Sequence, residues 1–318
     1  MNELPPNTSS FGDQPSPEAP APTLPSFRPI GAEDETTMFL PDTPNTSEDY
    51  TPRRIPHLGH AILFASCAGA ILLLCQTVLL GFFTIHTGQK IAASLQNPKL
   101  LVASMAIAYI ATLISSWLFF PLLWHRSFAE GLQWNLDAAR RNLLKLIAIG
   151  LVLGWTVQAI SSLIPMPKSI PMDNFFRTPS DVWLVTAFGT LLAPAFEEIC
   201  FRGFLLPAFA IAYDWLSLSR TPIAQQRWQT TTNLSTAGLL FSAILSSILF
   251  ALLHAEQLAH AWGALLVLFC VSLLLTLIRV RTKSVACSAV VHACYNLSVF
   301  ISLFIATGGY RHLDRIGH

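Results

Sequence analysis

Three short polar clusters interrupt long apolar stretches of this chain, and each contains a pair of side chains four residues apart. They are Glu197, Glu198 and Arg202 in EEICFR, Phe250 and His254 in FALLH, and His292 and Asn296 in HACYN. Residues four apart share one face of an α-helix, so each cluster aims its polar groups in one direction. Together they supply the parts of a hydrolytic centre: a carboxylate to take a proton from water, an imidazole to position that water, and N–H donors to hold a developing oxyanion. No serine or cysteine nucleophile is needed. Cys200 follows the glutamates directly, but it points to another helix face and has no adjacent base, so it reads as a packing residue.

The spacing divides the work between the two glutamates. Glu198 and Arg202 lie on one face and can pair, which lowers the cost of carrying both charges into an apolar layer. Glu197 is rotated by about 100° from its neighbour, which leaves it to act as general base. Each cluster also has a plainer reading. EEICFR could be a solvated helix end, although apolar runs flank it on both sides, Trp183 to Phe196 and Phe204 to Ala212. His254 could be a packing histidine bonded to a nearby carbonyl, and His292 with Asn296 could join helices by hydrogen bonds. Glu256 and His260, again four apart, read as a rim pair near the membrane surface.

Metal is an open alternative. Glu197, His254 and His292 could furnish a His2Glu set for zinc with one position left for water, but no HExxH spacing imposes it. Asn296 beside His292 suits oxyanion binding better than ligation, which favours metal-free activation of water. The cofactor is therefore expected to be none, or one divalent metal such as zinc.

Side chains of this kind must be positioned by membrane helices. The 318 residues are 53% hydrophobic and only 12% charged, with a mean hydropathy of +0.52, far too apolar for an ordinary soluble domain. Runs near the roughly 20 residues that cross a bilayer are Leu58 to Ile85, Leu101 to Trp124, Leu146 to Ile164, Trp183 to Ala212, Ala237 to Trp262, Gly263 to Ile278 and Ser284 to Ala306. The expected fold is an all-α polytopic transmembrane bundle of seven to eight spans. The doubtful points are the thirty-residue fourth run and a short polar turn near Trp262. Three frame helices fill 57–182, the chemistry is confined to 183–306, and 307–318 is a short polar tail.

Residues 1–56 hold nine of the 18 carboxylates, twelve of the 21 prolines and, before Arg53, the single cation Arg28. That composition predicts a disordered tail. With the tail in the cytoplasm, Arg53, Arg54, Arg126, Arg140, Arg141, Lys145, Arg220, Arg227, Arg279, Arg281 and Lys283 fall on the inner side, against Lys90, Lys99, Lys168, Arg177, Arg311 and Arg315 outside. This satisfies the positive-inside bias. Net charge near zero argues against nucleic acid as a partner. The six cysteines all lie in apolar segments and read as buried hydrophobes rather than disulfide partners.

The ordered triple Glu-Glu-x-x-x-Arg, Phe-x-x-x-His, His-x-x-x-Asn resembles the CPBP family of intramembrane proteases, which includes the type II CAAX prenyl endoproteases and the bacteriocin-processing or immunity (Abi) proteins. The resemblance covers about 183–300. It implies that Glu197 and His254 activate water, that His292 and Asn296 hold the oxyanion, and that Glu198 and Arg202 support the site. It implies an endopeptidase with a protein or peptide substrate, lipidated or not, working from the lipid bilayer with its cavity toward the cytoplasmic side. Bacterial-type members would place it in the cytoplasmic (inner) membrane. The rival readings are a transporter or proton relay built on the same Glu and His residues, and a non-catalytic immunity or scaffold protein. Against the first, the chain shows no internal repeat.

Overall fold

The computed structural model describes residues 54–315 apart from Met166 and Lys168. The tail expected over 1–56 lies outside the described residues except for its last three. Every regular element among the described residues is helical. Seven helices are long and apolar enough to cross a membrane: α1 Leu58–Thr87, α2 Pro98–Trp124, α3 Leu143–Ser161, α4 Pro179–Leu216, α5 Thr236–Leu253, α6 Trp262–Thr282 and α7 Val285–Ala306. The chain is a multi-pass membrane protein.

The helix ends follow local chemistry. Asn97 accepts from the amides of Lys99 and Leu100, with Pro98 at the first helical position of α2, a residue that loses nothing there because its missing N–H would be unpaired anyway. Ser235 caps α5 and Ser284 caps α7 in the same way. Gly88 ends α1 at φ 67°, a left-handed position that glycine takes without steric cost.

Two expectations are corrected at the boundaries. The fifth span stops at Leu253, well before Trp262, because 254–261 is a run of turns in which Ala259 (φ 47°) and His260 (φ 57°) are left-handed. The thirty-residue fourth run is one longer helix, not two, and it is not regular. Residues Phe188–Leu192 and Ile199–Leu205 are π-helical, with the amides of Ala193 and Leu206 donating five residues back to Phe188 and Phe201. Pro194 lies between them. A proline can neither donate to residue i−4 nor fit against its carbonyl, and widening the neighbouring turns is one way a helix absorbs that misfit.

α1 packs on α2, α3 on α7, and the second half of α4 on α5, with α5, α6 and α7 following as antiparallel neighbours. The α3–α7 contact is close: a Cβ at Gly150 would lie 2.6 Å from the carbonyl oxygen of Val291. One apolar cluster gathers Phe64, Phe120, Trp124, Phe128, Leu132, Phe196 and Phe204. A second gathers Leu146, Val271, Leu275, Val291 and Tyr295.

The connectors differ between the two ends of the bundle. At the end where residue 54 lies, short helices Phe128–Leu132 and Leu136–Arg141 run across the base of α6 and α7. Val285 N donates to the Gln133 carbonyl at 3.1 Å, Arg279 Nη2 to Gln133 Oε1 at 2.9 Å and Ser284 Oγ to the Asn135 carbonyl at 2.9 Å. Arg279, expected among the inner-side cations, is therefore buried by this cover rather than solvated. The opposite end is closed by turns, where Met172 N meets the Gln257 carbonyl at 3.3 Å and the Tyr310 hydroxyl bonds Thr186 and the Phe300 carbonyl.

Candidate active site

The irregular α4 carries EEICFR across the junction between its last regular turn and its second π-helical segment. Glu198 is fully buried. Its Oε1 accepts from Arg202 Nη1 at 2.7 Å and lies 2.9 Å from His292 Nδ1 on α7. Arg202 Nη2 donates to both the carbonyl and the hydroxyl of Ser272 on α6, at 2.8 and 2.9 Å, and the Ser272 hydroxyl donates to Ser247 Oγ on α5 at 3.0 Å. One polar chain thus joins α4, α5, α6 and α7. A buried ion pair depends on such further bonds, and one partner left alone costs about 3–5 kcal/mol; Glu198 Oε2 and Arg202 Nε have no hydrogen-bond partner among the described residues. The Phe250 ring adds a cation–π contact, with its centroid 5.2 Å from Arg202 Cζ.

Glu197 differs from its neighbour. Its side chain is 22% exposed, against 0% for Glu198, 1% for Arg202 and 3% for His292. Its Oε2 lies 3.8 Å from His292 Nε2, so the imidazole stands between the two carboxylates. Because Glu198 is paired with Arg202 it accepts, and Nδ1 of His292 is assigned the hydrogen. Tyr109 of α2 stacks on Phe196 at 3.7 Å, nearly parallel, and its hydroxyl is within electrostatic range of Glu197. A helix expected to serve only as frame therefore helps to wall the site.

His254 is the residue that ends α5. Its Nδ1 is 2.8 Å from the Phe250 carbonyl, which can only accept, so Nδ1 donates and Nε2 presents a lone pair. The Phe250 ring stands between the imidazoles, 4.8 Å from His254 and 5.9 Å from His292 by ring centroids. Asn296, one turn beyond His292, donates Nδ2 to the Gly189 carbonyl at 2.7 Å. That carbonyl belongs to the first π-helical segment, where the Ala193 amide bonds Phe188 instead and the next residue, Pro194, has no N–H to offer, so it is free for a side chain.

The structure therefore brings Glu197, Glu198, Arg202 and His292 into direct contact. It sets His254 one ring away and engages half of the Asn296 amide in bracing α4. Among the described residues, no group of three or more His, Cys, Asp or Glu side chains is placed to hold a metal ion. Glu197, His254 and His292 do not fit the zinc set that their residue types allow.

Ser247 and Ser272 were not anticipated, yet they leave a trace in the sequence. Ser247, Phe250 and His254 repeat at helical spacing, as do Ser272, Thr276 and Arg279 on α6, and Ser284, Ser288, His292 and Asn296 on α7. Polar stripes on apolar helices mark the faces that turn inward.

A multi-pass helical membrane protein with a charged, hydrogen-bonded centre buried at mid-bundle is the class that this fold and site define. Residues 179–298 match the family model described as type II CAAX prenyl endopeptidase Rce1-like, and over that stretch the chain is similar to this family. The match spans all six motif residues. Likeness to that family implies peptidase activity and a protein substrate. No curated protein and no solved structure matches the chain.

Proposed function

We propose that this protein is an intramembrane endopeptidase that hydrolyses a peptide bond close to the membrane, with Glu197 as general base. The observation that carries the reading is the single imidazole of His292 shared between one sealed carboxylate and one accessible carboxylate. Glu198, neutralised by Arg202, fixes the ring through Nδ1. Glu197 takes a proton from water as the water oxygen adds to the peptide carbonyl carbon. The same proton then passes to the leaving nitrogen as the C–N bond breaks.

The negative charge that develops on the carbonyl oxygen is met by His292 Nε2, with the second amide hydrogen of Asn296 as partner donor. For this role Nε2 carries a hydrogen as well as Nδ1. Cluster charge is then unchanged between the ground state and the tetrahedral intermediate, since Glu197 loses its charge as the oxyanion gains one. In a low-dielectric site that balance lowers the barrier. His254, through its free lone pair, accepts the other hydrogen of the water or an N–H of the substrate. No step calls on a metal.

The test is cleavage. Membranes carrying wild type and the Glu197→Gln variant are compared by mass spectrometry of newly formed peptide termini, and the variant is expected to lose about 10²–10⁴-fold in rate with its thermal unfolding in detergent unchanged. Cleavage at the wild-type rate by Glu197→Gln refutes the assignment. Substrate-dependent proton movement in vesicles without any cleavage would favour the transporter reading instead.

A further inference from the structure

α3 and α6 both pack on α7 but touch each other little. Between them lies a groove of about 430 Å³, lined by Ala148, Ile149, Val152, Leu153, Thr156 and Leu274. Ile149 and Leu153 belong at once to this groove and to the second apolar cluster, so the groove lies directly on packed interior. From Ala148 to Thr156 it follows α3 for about 12 Å, and the Thr156 hydroxyl is the one polar side-chain group along it.

Both walls carry a cation where they reach the end that bears residue 54. On α3, Lys145 stands one turn before Ile149 and two before Val152, so it shares their face, and it is the third residue of the helix. On α6, Arg281 comes two turns after Leu274, within about 20° of it around the helix axis, and is the last residue but one. Each is exposed, and neither pairs with a carboxylate among the described residues. The described carboxylates of that end are engaged elsewhere. Glu130 accepts from the Ser127 amide at 3.2 Å, Asp137 pairs with Arg140, and Asp214 accepts from the amide and hydroxyl of Ser235. Two cations thus stand at the mouth of an apolar slot, in the last turns of spanning helices, where hydrocarbon gives way to headgroups.

We infer that the groove between α3 and α6 binds an anionic phospholipid, with an acyl chain laid along Ala148 to Thr156 and the phosphate held by Lys145 and Arg281. Basic pockets between spanning helices select anionic headgroups. A partner helix suits the slot less well, because close helix contacts use small residues and most of the lining is Ile, Val and Leu. A zwitterionic lipid offers the same chain but brings a third positive charge to the two already present. A ligand that binds only the folded chain stabilises it, so an occupied groove fastens α3 and α6 to α7, the helix that carries His292.

The full-length protein, purified in detergent and stripped of lipid, is titrated with phosphatidylglycerol or with phosphatidylcholine of the same chains. Bound lipid is counted by native mass spectrometry, and the thermal midpoint is read in parallel. Phosphatidylglycerol is expected to bind about 10- to 30-fold more tightly than phosphatidylcholine, as two cations at a membrane surface allow, and to raise the midpoint. The Lys145→Gln/Arg281→Gln double variant is expected to lose that preference, and Lys90→Gln/Arg311→Gln, at the opposite end, to keep it. Val152→Trp, which sets a large ring in the slot from an exposed position, is expected to weaken both lipids. Equal binding of the two lipids by the wild type, or a preference that survives the double variant, overturns the site. A midpoint shift reproduced in full by glycerol 3-phosphate gives the cations to a free phosphate and overturns the lipid. A dimer in the same spectra that Val152→Trp dissolves gives the groove to a second copy and overturns it equally. Where the double variant folds poorly, the wild type decides alone. Phosphatidylglycerol with a diazirine in its acyl chain is photolysed on the protein, and cross-links beyond those of the matching phosphatidylcholine are expected within 145–156 and 274–281; an excess only elsewhere overturns the assignment. None of these readouts calls on cleavage, so they stand apart from the Glu197→Gln test.

Discussion

α1 and α4 cross the same membrane under opposite constraints. Only 6% of the apolar window of α1 is buried, against 39% for α4, which is also the least apolar of the seven spans. α1 meets its neighbours mainly through Ala61 and Phe64, while α4 buries Glu198 and Arg202 and is bonded to α5, α6 and α7. The difference teaches what organises this bundle. Lipid tails are as apolar as leucine, so apolar surface inserts a helix without telling it where to pack. Polar pairing and small residues do that.

The comparison breaks most severely at Arg202. Arg202→Ala leaves the buried Glu198 without its arginine and held by His292 alone, and should lower stability by about 3–5 kcal/mol, read as a fall in the thermal midpoint in detergent together with loss of cleavage. A smaller effect is expected where helices touch through absent side chains. Gly154→Ala would push a methyl to 2.8 Å from the Tyr295 carbonyl oxygen and into the Ser298 hydroxyl, costing about 1–3 kcal/mol in the same assay. The smallest belongs to α1: Leu74→Ala, on its lipid-facing side, should change stability by less than about 0.5 kcal/mol. A Leu74→Ala penalty as large as that of Gly154→Ala would erase the contrast.

Within the motifs the same lesson repeats at single-residue scale. Glu197 and Glu198 are adjacent, yet one is sealed by an arginine and the other is not, and the four-residue spacing to Arg202 was enough to tell them apart. The seven apolar runs and the pairing of Glu198 with Arg202 were also legible, because hydropathy and helical periodicity fix them directly. The position of His254 was not. It depends on where α5 stops, which is at His254 itself (φ -94°, ψ 0°), with no glycine or proline there to announce the end. Nor could spacing foresee Asn296 reaching the Gly189 carbonyl, since a π-helical register set against Pro194 is what exposes that oxygen. The floor made by residues 128–141 was hidden too, as its short capped helices read as an ordinary polar connector.

That floor has a consequence for any cell that makes this protein. Between Glu197 and the end that bears residue 54 stand Leu132, the Arg279–Gln133 bond and the Val285 amide held on the Gln133 carbonyl. A bundle stoppered in this way would not conduct ions, so the hydrolysis proposed above would leave the voltage across the membrane intact.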